Sequence, residues 1–128
     1  MKKIMLLTTV LIAFVLSSCK KDKNNKNHYT IGYTISPMNA FFTKIRYTNS
    51  AGQAVEITDP NMFSNGTVSF DKPAGSFKAK FSISSDNNTA ASLYFTIVID
   101  SSQQAKSYKS ISVSPYQQIS DSIEYTFN

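Results

Sequence analysis

The chain has 128 residues and a formal net charge of +5 at pH 7, from 13 basic and 8 acidic side chains. Residues 28–128 carry seven cations and seven anions, so most of the chain is neutral and the excess lies before it. A neutral domain excludes nucleic acid as the expected partner, because binding nucleic acid needs a clustered positive surface.

The first 19 residues predict the leader and anchor of a lipoprotein. Two lysines precede a run of 13 residues, Ile4–Leu16, that is apolar except for Thr8 and Thr9. As a helix this run would span about 20 Å, short of the roughly 30 Å of a bilayer core, and it is typical of a signal peptide. The ending Leu-Ser-Ser-Cys at residues 16–19 resembles the lipobox of bacterial lipoproteins. The resemblance implies a signal peptide over residues 1–18 and lipidation of Cys19; an ordinary secretory leader with a free cysteine is the alternative.

Residues 19–27 predict a tether that follows the lipidated cysteine. Four lysines and one aspartate after Cys19 give this segment a net charge of +3. Such a segment is expected to be solvated and to lie near anionic headgroups. We therefore expect a single folded domain over residues 28–128, held in the bacterial cell envelope. Lys20 after the cysteine resembles a signal for sorting to the outer membrane.

Alternation of apolar and polar residues at period two predicts strands throughout the domain. The first half holds four such stretches, at Tyr29–Ile35, Phe41–Tyr47, Ala54–Thr58 and Val68–Phe70. In the second stretch one face is predicted to hold Phe41, Thr43, Ile45 and Tyr47, with Lys44 and Arg46 opposite. Turn residues separate the stretches, as expected for antiparallel neighbours.

The second half of the domain holds four more stretches, at Phe77–Ile83, Leu93–Asp100, Tyr108–Val113 and Ile119–Phe127. Leu93–Asp100 is apolar on both faces, which is typical of a strand in the middle of its sheet. Asp121 falls on the apolar phase of the last stretch, so we expect it at the sheet rim, at a bulge or paired with a lysine.

The strand pattern predicts an all-β fold, since no window has the period of an amphipathic helix. Seven or eight strands with regular turns describe an antiparallel sandwich or a small barrel, and of these we expect a single antiparallel β-sandwich of immunoglobulin-like architecture. The paired cysteines and tryptophan typical of immunoglobulin domains are missing, so only the architecture is predicted.

The sequence leaves few routes to catalysis. With Cys19 lipidated there is no free thiol, and His28 is the single histidine, so triads and cysteine–histidine metal sites are not expected. Paired carboxylates remain a formal route, but a domain of this size has little room for a deep cleft. We expect a protein that is not an enzyme and that has no cofactor and no metal.

A candidate contact surface consists of large apolar residues beside a turn, on a loop or off the inward phase of a strand: Phe41, Phe42, Met62, Phe63, Tyr94 and Tyr108. Exposed apolar clusters mark contact sites. The alternative for the first two, together with Met38, is that they plug the open end of the sandwich. A second candidate is a basic stripe, formed if neighbouring strands carry Lys44, Arg46, Lys78 and Lys80; an ordinary solvated face is its alternative.

Five stretches carry a resemblance to a known family: Tyr29-x-Ile31-x-Tyr33-x-Ile35, Ile45–Gly52, Pro60, Phe77-x-Ala79-x-Phe81 and Ile97–Asp100. They resemble the MmpS-type transport accessory proteins and their lipoprotein relatives. The resemblance implies a small β-sandwich held outside a membrane that assists large lipid or siderophore exporters. The chain departs from the family in having Ser101 after Asp100, no Pro-Trp, no cysteine pair and a lipid anchor in place of a transmembrane helix.

Together these features predict a lipid-anchored, non-catalytic accessory module that binds the membrane through Cys19 and contacts an envelope protein, such as a transporter. The alternative is a surface-exposed lipoprotein that binds a glycan or another ligand. The oligomeric state is left open.

Overall fold

A computed structural model of the chain describes residues 29–38, 41–59 and 62–128. The predicted leader, Cys19 and the tether lie outside the described residues, as do His28 and Pro60. Eight strands form two four-stranded antiparallel sheets, which confirms the predicted all-β sandwich. The strands are β1 Thr30–Ser36, β2 Phe42–Thr48, β3 Ala54–Ile57, β4 Thr67–Asp71, β5 Phe77–Asp86, β6 Leu93–Ser101, β7 Gln104–Val113 and β8 Gln118–Phe127.

Strands that follow one another in the sequence mostly belong to different sheets. Sheet one has the order β4-β1-β6-β7, and sheet two has the order β3-β2-β5-β8. The chain therefore passes between sheets at every connection except the β2–β3 and β6–β7 hairpins. Strand β6 lies between β1 and β7, which confirms that the Leu93–Asp100 stretch is central in its sheet.

The core lies between the sheets and consists mainly of isoleucine and aromatic side chains from both. Tyr33 of sheet one is fully buried, and its ring centroid lies 5.3 Å from Phe81 and 5.5 Å from Tyr47 of sheet two. The Tyr33 hydroxyl donates a hydrogen bond to the Thr48 carbonyl oxygen at 2.7 Å. Burial raises the pKa of the Tyr33 hydroxyl above its usual range, so it remains a neutral donor inside the core.

A bulge in β2 corrects the predicted phase of this strand. Phe42 pairs with Ser85 and Lys44 pairs with Ser84, so Thr43 is the extra residue. Because a bulge shifts the alternation by one residue, both Phe42 and Ile45 point inward. Phe42 is 2% exposed and meets the Phe95 ring edge-on at 4.9 Å. Phe42 is therefore part of the core and not of the contact surface. This agrees with the alternative prediction that Phe42 plugs the end of the sandwich.

The β3–β4 loop places two neighbouring residues in opposite environments. Phe63 is 1% exposed and stacks on Phe81 with ring centroids 5.9 Å apart, whereas Met62 is 74% exposed. A short 3-10 turn at Ser64–Gly66 follows, and the Gly66 amide donates to the Phe63 carbonyl at 3.1 Å. Burying the Phe63 ring removes a large apolar area from water, which is why the loop turns it inward. Phe63 too belongs to the core and not to the contact surface.

Candidate functional site

The predicted contact residues that remain at the surface lie on three different parts of the fold. Tyr94 and Tyr108 are 68% and 71% exposed on β6 and β7, and Met62 is exposed on the β3–β4 loop. Phe41 is half-buried just before β2. The structure thus brings Tyr94 and Tyr108 onto one face, the outer face of sheet one.

The two tyrosines occupy neighbouring strands at different heights. Tyr94 pairs with Ser112, and Tyr108 pairs with Val98, four residues further along β6. At about 3.4 Å per residue and about 4.8 Å between strands, the two positions are roughly 14 Å apart. The outward-facing side chains around them, of which Thr96 and Val98 are half-buried and the rest exposed, define what we call the tyrosine face: Ser36, Tyr94, Thr96, Val98, Tyr108, Ser110 and Ser112.

A row of three hydroxyls crosses the tyrosine face between the two rings. Ser36 of β1 pairs with Thr96 of β6, and Thr96 pairs with Ser110 of β7. The hydroxyl oxygens of Thr96 and Ser110 lie 3.2 Å apart and share a hydrogen bond. Each hydroxyl can both donate and accept, so the row retains capacity for a ligand.

A shallow cleft of about 310 Å³ lies beside the Tyr94 ring. We call it the Tyr94 cleft; its side-chain lining includes Ser36, Pro37, Tyr94, Thr96, Ser110 and Ser112. Of the residues that the structure describes, none that lines the cleft is charged. An aromatic ring next to several hydroxyls can hold a ligand that has an apolar surface and many hydroxyl groups.

Going along β6 from Tyr94, the first charged side chain on the outer face of sheet one is Asp100, which pairs with Gly32 of β1. A Cβ atom at Gly32 would collide with the Asp100 carboxylate, so this carboxylate lies directly over the glycine. Burial raises the pKa of Asp100 above its usual range, and a hydrogen bond from the Gly32 backbone offsets part of that rise.

The outer face of sheet two carries the four residues of the predicted basic stripe, because β2 and β5 are neighbours. Glu56 lies 3.3 Å from the Lys44 ammonium and 3.9 Å from the Arg46 guanidinium. Glu124 lies 3.0 Å from the Lys78 ammonium. Since acids neutralise most of these cations, the stripe is a solvated face of mixed charge.

A groove of about 460 Å³ crosses the same face of sheet two. We call it the serine groove, since Ser82, Ser120 and Ser122 line it between Arg46 and Lys80. The two cations favour a small anion in the groove, but the Asp121 carboxylate also lines it and opposes one. The groove lies on an open sheet face, where exposed charges contribute little.

Asp121 is paired with a lysine, one of the three predicted alternatives. The Lys109 ammonium lies 2.7 Å from each carboxylate oxygen. Burial raises the pKa of Asp121, but the hydrogen bond from Lys109, the Ser122 amide and the Lys109 charge together lower it below its usual range. This pair joins β7 of sheet one to β8 of sheet two.

The two ends of the sandwich differ in their exposed residues. At the end we call the tether end, the Tyr29 ring contacts Phe127 at 6.0 Å, and the Tyr29 carbonyl accepts from the Lys72 amide at 2.9 Å. At the opposite end, here called the far end, Tyr116 is 73% exposed in the β7–β8 turn. Tyr94, the second residue of β6, also lies at the far end.

Sequence reasoning missed the hydroxyl row and the contact between Gly32 and Asp100. Both depend on the pairing of β1 with β6, strands that are distant in the sequence. Part of the site could have been found from the alternation within β6, because this pattern places Tyr94 and Thr96 on one face.

Among the residues that the structure describes, no group of three or more His, Cys, Asp or Glu side chains could hold a metal ion. Within the same residues, no helix has the length and apolar character needed to span a bilayer. No family model matches the chain, and no curated protein matches it in sequence.

Proposed function

We propose that this chain is a lipid-anchored accessory protein of the bacterial cell envelope, which works by binding and catalyses no reaction. The Leu-Ser-Ser-Cys ending supports an anchor at Cys19, and Lys20 supports the outer membrane as its location. The resemblance to MmpS-type proteins supports a membrane transporter as the partner.

The observation that carries this proposal is the position of exposed aromatic residues relative to the start of the domain. Tyr94 and Tyr116 lie at the far end, and Tyr29 enters at the tether end. Along β6, Tyr94 is seven residues from Ser101 at the tether end, which is roughly 24 Å at 3.4 Å per residue. A domain anchored at one end presents the other end to partners, and exposed aromatic residues are common at contact sites.

The predicted tether is long enough to give the domain freedom above a membrane. Tyr29 is ten positions after Cys19 in the sequence, and a fully extended chain of this length spans at most about 35 Å. The tether lysines are attracted to anionic headgroups, which keeps the tether end towards the lipid. The far end then faces the exposed parts of membrane proteins.

Site-specific photo-cross-linking of the full-length protein in its native cells tests the proposal. A photoreactive phenylalanine analogue at Tyr116 should cross-link to a defined membrane protein. The same analogue at Ala74, an exposed residue of the β4–β5 turn at the tether end, is the matched control and should not. Cys19→Ala should move the protein from the membrane fraction to the soluble fraction and abolish the cross-link.

Three results would contradict the proposal. They are equal cross-linking from both positions, unchanged membrane partitioning of Cys19→Ala, and sustained hydrolase turnover by the purified protein.

A further inference from the structure

We propose that the Tyr94 cleft binds a neutral saccharide, and that Tyr108 provides a second contact for longer oligosaccharides. This site depends on the proposed function only in that the domain works by binding; it needs no transporter.

The Tyr94 ring supplies the apolar contact that such a ligand requires. A pyranose ring presents C–H groups on one face, and these pack on an aromatic ring. Tyr94 is 68% exposed at the side of the cleft, so its ring is available for this contact. Tyrosine has few rotatable bonds, so ordering the ring on binding loses little conformational entropy.

The hydroxyl row supplies the polar contacts. Ser36, Thr96 and Ser110 lie side by side on three neighbouring strands, and Ser112 lies next to Tyr94. Hydroxyl groups both donate and accept hydrogen bonds, which matches the hydroxyls of a sugar without requiring a particular charge. Within the described part of the chain, the Ser112 hydroxyl makes no hydrogen bond.

The uncharged lining of the cleft favours a neutral ligand over an anionic one. Among the described residues, no lysine or arginine lines the Tyr94 cleft, whereas Arg46 and Lys80 line the serine groove on the opposite sheet. Asp100 is six residues from Tyr94 along β6, roughly 20 Å away. Phosphate-bearing lipids and acidic peptides need cations for tight binding, so a neutral polyhydroxyl ligand fits this cleft best.

The spacing of the two tyrosines sets the expected length dependence. Tyr94 and Tyr108 are roughly 14 Å apart on the same face, by the strand geometry of β6 and β7. That separation exceeds one sugar ring, and the hydroxyl row lies between the two rings. A monosaccharide would therefore contact Tyr94 alone, and an extended oligosaccharide would contact both.

The experiment uses the full-length lipidated protein in a detergent that has no sugar headgroup. The protein is screened on an array of neutral glucans, mannans, galactans and chito-oligosaccharides. Each glycan that binds is then titrated into the protein, once as the monosaccharide and once as the oligosaccharide. Tyr94→Ala should weaken every bound glycan roughly tenfold, as expected for the loss of one aromatic contact. Tyr94→Phe keeps the ring and should retain most of the affinity.

Tyr108→Ala and Tyr116→Ala complete the series. Tyr108→Ala should weaken oligosaccharides and leave monosaccharides unchanged. Tyr116→Ala removes an equally exposed tyrosine that lies off the tyrosine face, so it should leave all glycan binding unchanged. Because all three residues are exposed, unfolding midpoints should stay at the wild-type value, which separates lost binding from lost folding.

An array without any bound neutral glycan would overturn the proposal, as would full affinity in Tyr94→Ala or equal losses in Tyr116→Ala. Binding to phosphatidylglycerol vesicles that Tyr94→Ala abolishes would assign the cleft to an anionic lipid instead. If no glycan on the array binds and Tyr94→Ala abolishes the cross-link from position 116, the Tyr94 cleft would be assigned to a protein partner. Intact glycan binding without any cross-link would leave this site standing and remove the accessory function.

Discussion

The outer faces of the two sheets rest on one core but carry different chemistry. On sheet one, the half near Tyr94 holds tyrosine and hydroxyl side chains and no charge. On sheet two, serines lie between cations that are largely paired with Glu56 and Glu124. Inward positions are restricted by packing, whereas outward positions are open to almost any chemistry. Binding sites in this fold are therefore expected among the outward-facing residues of the strands.

The charge difference also implies different responses to solution conditions. Exposed ion pairs such as Lys78–Glu124 are screened by salt and contribute little to stability. Binding on the uncharged half of sheet one should therefore be nearly independent of ionic strength, and binding in the serine groove should not.

The largest expected effect comes from removing the packing on which both faces depend. Phe63→Ala should lower the free energy of unfolding by about 3–4 kcal/mol, because it leaves a cavity beside Phe81. Met62→Ala, one residue away and 74% exposed, should change it by less than about 0.5 kcal/mol. Urea unfolding of both variants measures the difference. Equal free energies of unfolding would contradict the burial of Phe63.

A substitution at Gly32 should affect sheet one alone, because the four strands of sheet two contain no glycine beneath a carboxylate. Gly32→Ala forces the Asp100 side chain to move and removes its backbone hydrogen bond, at a cost of about 1–2 kcal/mol. Ser82→Ala on sheet two is the control and should change stability by less than about 0.5 kcal/mol.

The coupling between the two residues tests the cause of this loss. If the Asp100 carboxylate is responsible, Gly32→Ala should be much less destabilising in an Asp100→Ala background. Additive losses in urea unfolding would place the cause elsewhere.

The smallest expected effect is an opposite pH dependence at two aspartates. The pKa of Asp100 is raised above 3.8 in the folded state, so its favourable contribution is present below that pH and is lost as the pH rises through the raised value. The pKa of Asp121 is lowered, so its contribution is present above 3.8 and is lost as the pH falls through the lowered value.

Comparing the two asparagine variants at neutral and acid pH measures these signs. At pH 7, Asp100→Asn should stabilise slightly and Asp121→Asn should destabilise by about 0.5–1 kcal/mol, the range of an exposed ion pair. Both differences from the wild type should shrink at acid pH, where the carboxylates are protonated. Variants that shift stability in the same direction at pH 7 would refute the assigned environments.

The strands were predictable where alternation is regular. Phe77, Ala79, Phe81 and Ile83 are all buried, as their period-two pattern predicts. Alternation alone did not predict the burial of Phe42, because the bulge at Thr43 reverses the phase of the residues before it and leaves no signal in the sequence. Phe63 was not predictable either, since a loop residue has no periodicity to show which way it points.

The candidate site was predictable only in part. Tyr94 and Tyr108 fall off the inward phase, and their exposure follows from alternation. Their position around the Ser36, Thr96 and Ser110 row follows from the pairing of β1, β6 and β7. Pairing partners are chosen by packing of the whole domain, so no local pattern encodes them.

Three properties of the domain follow from the sequence alone: its neutral charge, its construction from strands, and which residues of most strands face inward. These properties are local, because side chains alternate along any extended strand and charges can be counted along the chain. The tertiary structure alone decided which strands are neighbours, and with that the uncharged Tyr94 cleft, the carboxylate over Gly32 and the Lys109–Asp121 pair. The physical reason is that these features join residues from different strands, whose register is set by burying the shared core.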